Sequence, residues 1–146
     1  MKIEIKLDDN CSETKVIIVT EKMTDEITSL MQRLSEDATQ GIVGFDGDVV
    51  QFLEPTDIVR IYAAAGKVFA VTDKKEFVLR LRLYEIEEKL GSKGFVRISN
   101  SEIINIKKAK KFDLSTVGTI CVSLSNGNVS FVSRRYVTKI KKTLGI

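Results

Sequence analysis

Histidine is absent from all 146 residues. That one absence removes Ser-His and Cys-His nucleophile pairs, the commonest general base and the commonest metal ligand. Cysteine is scarce as well. Cys11 and Cys121 lie far apart without metal-ligand spacing, which suits two reduced thiols better than a disulfide framework or a zinc site. No apolar run approaches the ~20 residues of a membrane-spanning helix. The opening Met1-Lys-Ile-Glu-Ile-Lys6 alternates charge with apolar residues and forms no signal-peptide core, so the expected location is cytoplasmic. Asp46-Gly-Asp48 lacks the remaining oxygen ligands of a calcium loop, and Gly91 and Gly94 lack the helix start and lysine of a phosphate-binding loop. These gaps point away from an enzyme, and they leave no metal, cofactor or small-molecule substrate to expect.

What is present is a soluble globular composition with enough apolar content, 43%, for one real core. The net charge of +3 hides a gradient. Residues 1–50 carry 5 basic and 11 acidic side chains, residues 51–100 carry 9 and 7, and residues 101–146 carry 9 and 2. Such asymmetry suggests a half that faces nucleic acid or a membrane, and an acidic half with another task.

In chain order, Ile3, Ile5 and Leu7 alternate with charged residues as a half-buried strand does, and Lys15–Thr20 predicts a second strand. Thr24 then caps a helix whose stripe is Ile27, Leu30, Met31 and Leu34. This acidic β-β-α segment ends near Gly41, the expected boundary between residues 1–40 and a domain over 41–146. From Ile42 onward short strands follow one another, with hairpins at Asp46-Gly47-Asp48, Ala63-Ala-Ala-Gly66 and Asn126-Gly127. A strand is expected over Glu76–Leu83. Leu83, Ile86 and Leu90 mark one short helix, and Val137, Ile140 and Leu144 mark another after Ser133 as N-cap. The fold class is mainly β with a few short helices.

Polar chemistry concentrates in Gly94–Lys108, where Arg97, Ser99, Asn100 and Ser101 interrupt two apolar runs. An arginine forks onto phosphate or a guanine edge, and an asparagine pairs with adenine, although an ordinary turn has the same composition. Arg134 and Arg135 occupy the first turn of the last helix, where the dipole disfavours cations by ~0.3–1 kcal/mol each. A bound phosphate would compensate, and so would solvent or a distant carboxylate. Lys107 and Lys108 open a basic run suited to phosphate contact or to a plain solvated face, and Lys67 beside Gly66 could likewise reach a backbone.

Together these stretches resemble the LytTR family of bacterial DNA-binding domains, the output module of many response regulators. Phe95–Ile106 is similar to the family's central motif, Ser125-Asn-Gly127 through Val137 to its closing hairpin and helix, and Asp57-Ile58 through Val68 to its first reading loop. The resemblance implies about ten short strands in three small stacked sheets, with loops in successive major grooves of double-stranded DNA. It implies DNA contacts by Gly66, Lys67, Ser99, Asn100, Ser101 and Arg135, with Arg97 on phosphate. Where the family often has a carboxylate and an Asp-Gly turn, this chain has Tyr62-Ala63-Ala64-Ala65-Gly66, which leaves Lys67 as that loop's phosphate contact. The acidic segment over residues 1–40 is too short to form the family's receiver domain. The expectation is therefore a stand-alone transcriptional regulator, a homodimer on DNA, of a type often paired with an inhibitory membrane protein. The alternative is a protein-binding adaptor with a basic face and no sequence preference.

Overall fold

A computed structural model describes residues 1–38 and 42–146 and divides the chain into two compact units, Met1–Leu34 and Ser35–Ile146. The expected boundary at Gly41 lies outside the described residues. Helix α1 runs from Asp25 to Ala38. Thr24 caps it as expected, its Oγ1 accepting from Ile27 N at 3.3 Å. The two strands expected over Ile3–Leu7 and Lys15–Thr20 do not form. Their apolar side chains stay in solvent, with Ile5 87% and Val19 93% exposed. Alternation alone does not make a strand, because an isolated two-stranded ribbon without a covering layer is marginal in water.

The second unit contains ten strands among the described residues: β1 (Ile42–Asp46), β2 (Val49–Leu53), β3 (Ile58–Ala64), β4 (Lys67–Thr72), β5 (Glu76–Leu79), β6 (Phe95–Ser99), β7 (Glu102–Asn105), β8 (Ala109–Asp113), β9 (Ile120–Leu124) and β10 (Val129–Val132). Two helices join them, α2 (Leu83–Leu90) and α3 (Arg134–Leu144). All pairings are antiparallel. Hydrogen bonding links seven strands in the order β2-β1-β5-β4-β3-β7-β6, and β10-β9-β8 form a second sheet, so there are two sheets where three were expected. Continuous pairing from β1 through β5 into β4 accounts for the difference.

Alternation on β3, β6 and β7 sends neighbouring residues into two cores. Ile61, Phe95 and Ile103 pack with Leu83, Ile86 and Leu90 of α2. Val59, Ile98 and Ile104 pack against the small sheet and Ile140 of α3. Each fully buried Ile or Leu contributes ~1.5–3 kcal/mol, so these shared strands form a stiff frame between two apolar layers. Strand β5 is shorter than expected. The chain bends at Arg80–Arg82 and turns helical at Leu83, where Glu85 Oε1 accepts from Arg82 N at 3.1 Å and fixes the helix start. Strand β8 was hidden in the sequence, because its lysines conceal a partner edge for β9.

Candidate nucleic-acid interface

Three separate segments meet at one end of this frame. The first is the β3–β4 hairpin. Ala64 pairs with Lys67, so Ala65 and Gly66 are the two loop residues, and both have positive φ, 52° and 75°. That is the geometry of a tight two-residue hairpin whose twist matches its strands, although alanine takes it at a cost of ~1–2 kcal/mol. Ala64, Ala65, Gly66 and Lys67 are all exposed.

The second segment is the turn Ser99–Ser101 between β6 and β7. It is heavily braced. Arg97 Nε donates to Ser99 O at 2.8 Å, its Nη2 donates to Asn100 O at 2.5 Å, and its Nη1 reaches Glu87 Oε1 on α2 at 2.8 Å. Ser99 Oγ accepts from Ser101 N at 3.2 Å. Across the gap, Ala63 N donates to Ser101 O at 2.8 Å and ties the turn to the first hairpin. Arg97 is therefore half-buried with every guanidinium nitrogen engaged inside the protein, while Asn100 and Ser101 face solvent.

The third segment is the start of α3. Ser133 N donates to Ile98 O at 2.9 Å, which sets the helix beside the end of β6. Tyr136 Oη donates to Asn100 Oδ1 at 3.2 Å, so the Asn100 amide is oriented with its two N–H donors available outward. Ser133 makes no side-chain cap bond. Arg134 and Arg135 are exposed in the first turn and form no ion pair among the described residues. The Arg134 guanidinium lies against Gly118, where a Cβ would come within 3.3 Å of Nη2.

Of the residues singled out from sequence, Gly66, Lys67, Ser99, Asn100, Ser101, Arg134 and Arg135 thus belong to one region. Lys107 and Lys108 do not join it through any hydrogen bond. They form a short turn between β7 and β8 whose Lys107 N is held by Asn105 Oδ1 at 3.1 Å.

The family model for the LytTr DNA-binding domain matches residues 48–145. The chain belongs to the LytTR family. At 31% identity it also matches an uncharacterised HTH-type transcriptional regulator of Staphylococcus aureus strain NCTC 8325, over 100% of this chain and 99% of that protein. A counterpart in the bovine strain RF122 has the same identity and coverage. Among solved structures, the LytTr DNA-binding domain of a Bacillus cereus protein described as a methyl-accepting/DNA response regulator superposes with a TM-score of 0.70. It shares 23% identity and covers 73% of this chain and 97% of its own. The LytTR fold is the one built above. A helix-turn-helix, which the staphylococcal names mention, has no counterpart among the described residues, since α2 leads through a short 3-10 turn into β6.

Two further residues have structural parts: Asn105, within the stretch that resembles the family's central motif, and Glu102, which was not singled out from sequence. Asn105 is buried, with Nδ2 donating to Ile58 O at 2.9 Å and to Pro55 O at 3.4 Å. Its position at the end of an apolar run was the available signal. Glu102 Oε2 accepts from Ser130 Oγ at 2.5 Å and lies 3.4 Å from Arg60 Nη1, joining the large sheet to β10. No local pattern announces that contact, because its partners are 28 and 42 residues away.

Proposed function

We propose that this LytTR protein is a sequence-specific transcriptional regulator that places loops and the start of α3, instead of a recognition helix, in successive major grooves of repeated half-sites. The observation that carries the reading is the bracing of three exposed polar segments against one another by the Ala63–Ser101, Ser133–Ile98 and Tyr136–Asn100 bonds. Rigid, water-facing donors on a stiff frame are what base readout requires, since phosphate contacts position a protein and base contacts specify the sequence.

Within it, Arg135 supplies a bidentate fork for guanine, and Asn100 donates to acceptors on base edges. Lys67, Arg134, Lys107 and Lys108 contact phosphate, and Gly66 and Ser101 allow close approach. Arg97 differs from its expected part. Its guanidinium is occupied internally, so it holds Ser99–Ser101 in shape and acts as a positioning residue.

Residues 1–40 are assigned to association, with a second copy on DNA or with an inhibitory membrane partner. Support comes from Ile3, Ile5, Leu7 and Val19, which are 82–93% exposed. Replacing Arg135 with alanine tests the site: binding to the preferred duplex should weaken by ~1–3 kcal/mol and discrimination should flatten at one base position. Unchanged binding would remove Arg135 from the interface.

A further inference from the structure

Beside the first hairpin lies an open groove of about 850 Å³, between the β3–β4 tip and the start of α2. Its floor is apolar: Ala63, Val68 and Leu81 are partly buried side chains that cover the α2 core. The rim is cationic, with Lys67 on one side and Arg82 on the other, and Tyr84 at 58% exposure beside Arg82. No carboxylate of the described residues lines it.

The cations differ in how committed they are. Arg97 reaches the groove but is neutralised by Glu87 at 2.8 Å, and the Arg80 guanidinium lies 4.1 Å over the Phe45 ring. Lys67 and Arg82 are exposed and make no ion pair among the described residues. Glu85, the acid nearest in sequence, accepts from the Arg82 backbone N–H. Two cations without an ion pair among the described residues and a phenol therefore line a channel with an apolar floor.

We propose that this groove is a phosphate track, in which Arg82 and Tyr84 hold the sugar-phosphate backbone of DNA flanking the bases read by Asn100 and Arg135. The inference rests on the DNA-binding reading above and adds α2 to the interface. Nucleic-acid backbone fits better than an acidic peptide, because the groove is continuous with the braced turn through Arg97 and the Ala63–Ser101 bond. Arg82 and Tyr84 thereby compensate for a hairpin tip that carries no side chain able to read a base.

The test uses the full chain and a duplex enriched from random sequence, titrated over a range of salt. Arg82→Gln should weaken the enriched and scrambled duplexes by the same factor, about 5- to 20-fold, and reduce the salt slope by ~0.9 for one lost phosphate contact. Discrimination between the two duplexes should stay intact. In the unmodified protein, a neutral methylphosphonate at one flanking position should weaken binding, and in Arg82→Gln that sensitivity should vanish. Tyr84→Phe should show a smaller loss of the same kind. If Arg82→Gln binds with unchanged affinity and slope while Arg135→Ala loses discrimination, the groove proposal is overturned and the base-reading site stands. If no duplex is preferred by the unmodified protein, the reading beneath both is overturned.

Discussion

Arg97 decides between two accounts of the central turn. Its three guanidinium contacts, to Ser99 O, Asn100 O and Glu87 Oε1, lie at 2.8, 2.5 and 2.8 Å. Hydrogen bonds to charged groups contribute ~1.5–3 kcal/mol each, and removing one partner of a buried pair costs ~3–5 kcal/mol. The Arg97 side chain is 16% exposed but that of Glu87 is 35%, so water partly compensates the stranded carboxylate. Arg97→Ala should therefore cost ~2–4 kcal/mol, read as a fall in the urea midpoint at constant m value. Arg97→Lys keeps a charge near Glu87 but cannot span both carbonyls, so it should recover only part of that loss. On DNA, both variants should lose affinity for the preferred duplex more than for scrambled DNA, with an unchanged salt slope. A variant of normal stability whose salt slope falls by ~0.9 would instead make Arg97 a phosphate contact and not a brace, because that signature belongs to a lost phosphate contact.

Asn105→Ala should cost ~2–4 kcal/mol in urea unfolding by stranding the Ile58 carbonyl and the Lys107 N–H, with the specificity ratio on DNA preserved. Ala65→Asn should raise stability by ~0.5–1 kcal/mol, since asparagine tolerates the left-handed backbone at φ 52° better than alanine; an unchanged midpoint would argue against strain there. The Tyr62 phenol is held above its ordinary value by burial and by its hydrogen bond to Glu76. A raised folded-state pKa gives stability that is complete below the unfolded value of ~10 and is lost as pH rises through the folded value. Unfolding free energy should then fall above pH ~10 in the unmodified protein, and Tyr62→Phe should lack that part of the slope.

Local patterns in the sequence revealed most of the second unit. Turn dipeptides placed the hairpins at Asp46-Gly47-Asp48 and Asn126-Gly127, and helical spacing located α2 and α3, because each signal is carried by a few adjacent residues. Contacts between distant residues stayed out of reach. The destination of the Arg97 fork depends on Glu87 arriving from α2, and the engagement of Asn100 depends on Tyr136 arriving from α3. A side chain apt for phosphate in isolation thus became a brace in the fold. At the N-terminus, Ile3, Ile5 and Leu7 have the alternation of a strand but no partner layer within their unit. Arg82 falls inside the strand expected over Glu76–Leu83, and the bend before α2 brings it to the same groove as Lys67.

Selection of random duplex DNA with the purified protein at near-physiological salt tests sequence-specific readout. A repeated motif should be enriched and bound ~10³-fold or more tightly than its scrambled counterpart. Equal, salt-sensitive binding to every duplex would contradict it, leaving a basic surface without base readout and favouring a protein-binding adaptor.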